Sequence, residues 1–177
     1  MFDRELIDAL DALTPINFNG TLWRTAWKNR DPLQGGSAGG RWSEPNGSET
    51  LYTSLEADVS LAELYYQLSI APVFSSRIVQ LFEIRASDLK VLDLGDVEQI
   101  RKLGINDPMA TGSQDLEQTR ALGAVADFLE NQGIIVPSVR AEGLNLVLFP
   151  GRLDLNKSLV IQKVSDINWS AWREKNK

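Results

Sequence analysis

A phenol and a carboxylate, Tyr52 and Glu63, share the segment LYTSLEADVSLAEL, just after a glycine-rich stretch ending in Gly39-Gly40-Arg41-Trp42. Far downstream stand Val136-Pro137-Ser138, Asn145 and Phe149-Pro150. An arginine, a tyrosine, a carboxylate and a hydroxyl, each beside a turn or an element end, could line one pocket. The chain has no histidine and no cysteine. That excludes thiolate nucleophiles, disulfides, Ser-His-Asp triads and metal sites built on imidazole or thiolate. Any reaction must run on carboxylate, guanidinium, amine, hydroxyl and phenol, which favours charge stabilisation over proton shuttling.

Each candidate has a plain reading beside the chemical one. The planar fork of Arg41 suits bidentate contact with a phosphate or pyrophosphate, and Gly40 would let a ligand approach the backbone; the same arginine would also serve any nearby acid. Arg24, between Trp23 and Trp27, has the same two options. Tyr52 is either a half-buried core tyrosine or a flat wall on which a planar heterocycle stacks. Glu63 is either an exposed helix residue or a cleft carboxylate. Ser138, after Pro137, has no histidine to activate it, so a hydrogen-bonding role suits it better than a nucleophilic one, with Arg140, Glu142 and Asn145 near it in sequence. No GxGxxG follows a strand and no GxxxxGK[ST] occurs, so neither a Rossmann nor a P-loop nucleotide site is supported.

Hydrophobic periodicity gives the elements that must position these groups. Residues 2–13 are helical, with Leu6, Ala9, Leu10 and Leu13 on one face and Pro15 as the stop. Residues 21–27 alternate as a strand, placing Leu22, Arg24 and Ala26 opposite Trp23 and Thr25. Residues 28–40, with Pro32 and four glycines, form a mobile loop, and residues 50–54 a second strand. Residues 57–68 form a helix buried through Leu61, Leu64, Tyr65 and Leu68, with Ser60, Glu63 and Gln67 on its polar face. Strands are expected at 77–85, near Val91-Leu92, and at 134–136, 144–149 and 159–164. Helices are expected at 96–103 and 115–131, the second starting with Asp115 and Glu117 and stopping at Gly133. Helices and strands do not alternate regularly, which points to a single α+β domain with a mixed, mostly antiparallel sheet rather than a doubly wound one.

The composition agrees with one globular domain: 177 residues, 43% of them hydrophobic. No apolar run is long enough to span a bilayer, and the acidic, amphipathic N-terminus fits neither a secretory signal nor a transit peptide, so a soluble cytoplasmic protein is expected. A net charge of −6 argues against general nucleic-acid binding. The distribution is uneven: Arg24, Lys28, Arg30 and Arg41 cluster against Asp31, whereas 88–117 is acidic. A local positive patch on an acidic protein can hold a small anion while repelling polynucleotides.

Taken together, Trp23-Arg24-Thr25-Ala26, Gly39-Gly40-Arg41-Trp42-Ser43, Leu51-Tyr52-Thr53-Ser54, Leu61-Ala62-Glu63-Leu64, Val136-Pro137-Ser138, Asn145 and Phe149-Pro150 resemble, in order, the RES domain family of bacterial toxin–antitoxin toxins. The resemblance covers residues 20–165, leaving 1–19 as an N-terminal helical extension and 166–177 as a tail. Departures are Ser43 where the family often has Asn, Gln67 where it often has His, and Phe149-Pro150 in place of Asn-Pro. The resemblance implies a split β-sheet with flanking helices similar to ADP-ribosyltransferases, and cleavage of the nicotinamide–ribose bond of NAD by water or phosphate, so arresting growth. NAD is then the substrate, with no further cofactor and no metal. It implies Arg41, Tyr52, Glu63 and Ser138 as catalytic, and Arg24, Gly40, Arg41, Tyr52 and Asn145 as substrate-binding. It also implies an antitoxin partner with a helix-turn-helix DNA-binding domain; homo-oligomers are left open. Rival readings are a protein ADP-ribosyltransferase and a catalytically silent NAD-binding module.

Overall fold

The computed structural model describes residues 3–71, 78–111 and 116–175. Phe2, Arg77 and Asp115, named above at the starts of a helix, a strand and a helix, lie outside them. The elements run α1 (Arg4–Asp11), β1 (Ile16–Trp27), β2 (Leu51–Ser54), α2 (Ala57–Ile70), β3 (Val79–Asp93), α3 (Val97–Lys102), α4 (Leu116–Phe128), β4 (Gly133–Pro137), β5 (Leu144–Leu148), α5 (Leu155–Ser158), β6 (Leu159–Asp166) and α6 (Trp169–Lys175). A 3-10 turn at Pro150–Arg152 follows β5.

The sheet is mixed and mostly antiparallel, as expected; β3–β4 is its parallel pair. It is not split. The order β1-β2-β5-β4-β3 returns to β1 through a β1–β3 ladder, so five strands close on themselves and β6 is added outside, on β3. The 15-residue β3 makes closure possible. It pairs with β1 from Val79 to Val91 and, over Gln80 to Ala86, with β6 on the other side, while its end, from Val91 to Asp93, pairs with β4. Where a strand at 77–85 and a separate short one near Val91-Leu92 were expected, one long strand runs through a bulge. Phe18 pairs with Leu89 but Gly20 with Ala86, so β3 carries an extra residue there. Asp88 adopts φ 54° and donates its N–H to Asn19 Oδ1 at 2.9 Å. The bulge shifts the alternation, so Phe82, Ile84 and Ala86 before it and Leu89 and Val91 after it face the same interior.

That interior is one of two cores. Leu22, Leu51, Ile84, Ile135 and Leu146, one or more from each strand of the ring, meet inside it. The alternate residues of β4 and β5, Ile134, Val136 and Val147, face outward and pack with Leu6 and Leu10 of α1, Ile100 of α3, Trp42, and Leu122 and Val125 of α4. Helix α6, which the periodicity did not reveal, stacks Trp169 and Trp172 on Tyr65 of α2, with ring centroids 6.3 and 5.4 Å away. The stop of α4 also differs from the expectation. Glu130, at φ 62°, turns the chain, and Gly133 instead begins β4. A Cβ at Gly133 would stand 2.6 Å from the Val147 carbonyl oxygen, so glycine is required by close strand packing.

Candidate active site

Helix α2 packs against β1, β2 and β5, and Glu63 reaches Ser138, just after β4, and Asn145 of β5. The polar face read from periodicity turns into the fold: Ser60 is buried and Glu63 half-buried, and with Gln67, exposed at the rim, they line a cavity of about 480 Å³. Arg24, Gly40, Arg41, Tyr52 and Asn145 line the same cavity. The structure therefore brings together residues from five separate segments. Ser138 stands behind the wall, 4% exposed, and reaches the cavity through Glu63.

Three side chains fix the carboxylate. Ser138 Oγ donates to Glu63 Oε1 at 2.7 Å, and Asn145 Nδ2 donates to the same oxygen at 3.0 Å. Asn145 is itself oriented by Ser54 Oγ, which donates to its Oδ1 at 2.7 Å from the paired position on β2. The turn after β4 holds Ser138 in place: its N–H bonds the Gly143 carbonyl at 3.0 Å, and the Arg140 N–H donates to its hydroxyl at 3.1 Å. Gly143, at φ 137°, is pressed on α2 so tightly that a Cβ would meet Val59 Cγ2 at 2.5 Å. Glu63 Oε2 accepts no hydrogen bond from the described residues. One oxygen is anchored and the other is free to meet a ligand.

The second wall is the 39–43 turn. Gly39, at φ 82°, packs on Pro45, and the Tyr52 hydroxyl accepts from the Trp42 N–H at 3.1 Å and lies 3.0 Å from Ser43 Oγ. Gly40 is required here, since its Cβ would sit 2.4 Å from that hydroxyl. The phenol thus braces the turn carrying Arg41 as well as lining the cavity. Burial pushes its pKa up, against the hydrogen bonds from Ser43 and Trp42 and the charges of Arg120 and Arg41.

Four guanidinium groups line the cavity: Arg24, Arg41, Arg120 and Arg140. Arg24 donates to the Tyr52 carbonyl at 2.7 Å and to the Gln34 carbonyl at 3.4 Å, while its Nε is buried with no hydrogen-bond partner. Arg41 donates to the Pro108 carbonyl at 3.2 Å, and Arg120 Nε to the Gly40 carbonyl at 2.9 Å. Arg140 sits over the Tyr66 ring, its Cζ 3.3 Å from the centroid. Among the described residues none of the four is ion-paired, whereas arginines elsewhere pair with Asp8, Glu98 and Asp127. Burial lowers the pKa of Arg24, and burial followed by the charge of Arg140 lowers that of Arg41. Guanidinium remains charged regardless, so the cavity is built to receive anions. Arg120 and Tyr66 were not singled out from sequence, because one basic or aromatic residue on an amphipathic helix carries no distinguishing signal. A second cavity of about 510 Å³ shares Arg24, Thr25, Gly36, Leu64 and Gln67 with the first.

The model of the RES domain family matches residues 21–172. Over 169 residues the chain is 28% identical to the NAD(+) phosphorylase MbcT of Mycobacterium tuberculosis (strain ATCC 25618 / H37Rv), covering 89% of this chain and 90% of that protein. The MbcT of Mycobacterium bovis matches equally. A chain in the crystal structure of the M. tuberculosis MbcT–MbcA toxin–antitoxin complex superposes with a TM-score of 0.84 at 27% identity, over 97% of both chains.

Proposed function

We infer that this chain, which belongs to the RES domain family, cleaves the nicotinamide–ribose bond of NAD and acts as the toxin of a toxin–antitoxin pair. The observation that carries the reading is the half-anchored Glu63 carboxylate, held by Ser138 and Asn145 in a cavity lined by four arginines that have no ion-pair partner among the described residues. Nicotinamide leaves NAD as a neutral molecule from a cationic ring, so no general acid is needed. The ribosyl cation that develops is stabilised by a carboxylate and by contacts to the sugar hydroxyls, the principle used in glycoside cleavage. A site without histidine can do this. Glu63 Oε2 faces the ribose, Arg24 and Arg41 take the pyrophosphate or a neighbouring phosphate, Tyr52 orients the nicotinamide side, and Ser138 and Asn145 hold the carboxylate.

The relatives named NAD(+) phosphorylase favour phosphate over water or a protein side chain as the acceptor. The partner is an antitoxin carrying a helix-turn-helix domain, and the setting is the cytoplasm; no helix among the described residues is long and apolar enough to cross a membrane. We take the closed sheet as a variant of the ADP-ribosyltransferase fold, with residues 20–165 as the RES domain, 1–19 as its extension and 166–177 as its tail.

The test is incubation of purified protein with NAD, with and without phosphate, followed by identification of products. Free nicotinamide with phosphorylated ADP-ribose is expected. Glu63→Gln should lower kcat by about 10²–10³, the size of a lost transition-state charge contact, with the circular dichroism spectrum retained. Unchanged turnover in the variant, or NAD bound and left intact by the parent protein, would sink the reading.

A further inference from the structure

We propose that Arg140, with Arg41 beside it, forms the site for the inorganic phosphate that attacks the ribose; this rests on the NAD-cleaving reading above. The other guanidinium groups are partly committed. Arg24 is tied to the Tyr52 carbonyl, Arg120 to the Gly40 carbonyl and Arg41 by one nitrogen to the Pro108 carbonyl. Arg140 has one face against the Tyr66 ring, which leaves the N–H groups in its plane directed outward. This stacking holds the side chain without consuming its donors.

Its backbone ties it to the carboxylate's support: the Arg140 main-chain N–H bonds Ser138 Oγ at 3.1 Å, and that hydroxyl bonds Glu63 at 2.7 Å. The guanidinium is thus carried by the turn that anchors Glu63, and it lines the same cavity. Arg41 lines the same cavity, and the charges of Arg140, Glu63 and Asp107 all act on it, but among the described residues neither arginine is in an ion pair. A small dianion at this point offsets both positive charges and accepts from both forks.

The chemistry suits the chain. A water nucleophile must give up a proton, and with no histidine in the chain that proton would fall to Glu63, the carboxylate that faces the ribosyl cation. A phosphate dianion is already charged. Its oxygen bonds to the ribose C1′ as the C1′–nitrogen bond breaks, and the electron pair returns to the pyridine ring as neutral nicotinamide leaves. The phosphoryl group keeps its own proton.

Two measurements on the full chain separate this inference from its premise. Steady-state nicotinamide release is followed against phosphate at saturating NAD, and against NAD at saturating phosphate, for the parent protein, Arg140→Gln and Arg140→Lys. Calorimetry with inorganic phosphate alone is run on the same proteins. Arg140→Gln is expected to raise the phosphate KM by about 10- to 100-fold, the loss of a charge-assisted contact. KM for NAD should change by less than about twofold, on the same scale of contact energies. Arg140→Lys, which keeps the charge but loses the fork, should fall between the two. Phosphate binding without NAD should weaken in parallel. A phosphate KM unmoved by Arg140→Gln, with nicotinamide still released, overturns the inference and leaves the premise standing. A rise in KM for NAD alone assigns Arg140 to the pyrophosphate and also overturns it. If the parent protein releases no nicotinamide but its phosphate binding depends on Arg140, the anion site stands and the premise falls.

Discussion

Tyr52 shows how one side chain can serve two parts of a site. Its ring lines the cavity, and its hydroxyl holds the Trp42 N–H and Ser43 under the turn that presents Arg41. Tyr52→Phe keeps the ring but leaves that buried N–H without its acceptor, a loss of about 1–3 kcal/mol. The pH dependence has a definite sign. Burial raises the phenol above its ordinary pKa of 10.0, so the fold prefers the neutral form. Its contribution is fully present below that value and is lost as pH rises through the higher folded pKa. Urea unfolding should show the parent protein more stable than Tyr52→Phe near neutrality, with the gap shrinking only above about pH 10. A gap that closes below that pH, or none at neutrality, would show that the phenol does not brace the turn.

At the scale of elements, the contact to break is α4 against the 39–43 turn. A Cβ at Gly123 would lie 1.9 Å from the Trp42 carbonyl oxygen, so the helix rests directly on backbone. Gly123→Ala must push the two apart, at about 1–3 kcal/mol for an overpacked contact. Arg120, one turn earlier on α4, would lose its grip on the Gly40 carbonyl. We expect a lower denaturation midpoint together with a raised KM for NAD. A variant destabilised but unchanged in KM would mean that α4 supports the fold and not the cleft. Sequence periodicity located most of these elements because one face of each is buried, and it placed Glu63, Ser60 and Gln67 on a common face of α2. It could not distinguish bulk water from a polar cavity as the destination of that face. Nor could it show that β1 and β3 pair, because alternation fixes which residues face the core and leaves the partner strand open. The polar start of β1, INFNG, hid five residues of strand, and the bulge at Asp88 broke the alternation of β3 into two apparent pieces. Helix α6 is only seven residues long, so the i, i+3 pair Trp169 and Trp172 is too short a pattern to read; its place follows from both rings meeting Tyr65.

For the whole molecule, charge placement decides what can enter. The chain carries a net charge of −6, yet the arginines that line its cavity have no acid partner among the described residues, while arginines and lysines on its surface do. A positive cavity inside an acidic surface favours a small anion over a polynucleotide, which would have to lie along the repelling exterior. Screening acts differently on the two parts. Approach of a dinucleotide across the surface weakens as the Debye length falls from about 10 Å at 0.1 M salt to about 3 Å at 1 M, whereas a contact inside the cavity is screened less. KM for NAD should therefore rise with added sodium chloride while kcat changes little, because the ribosyl cation meets Glu63 within the cavity. Duplex DNA should not bind the isolated chain at any salt concentration in that range. A KM that stays flat with salt would place the anion contacts out of reach of bulk ions, and a kcat that falls in parallel would mean that Glu63 works in open water.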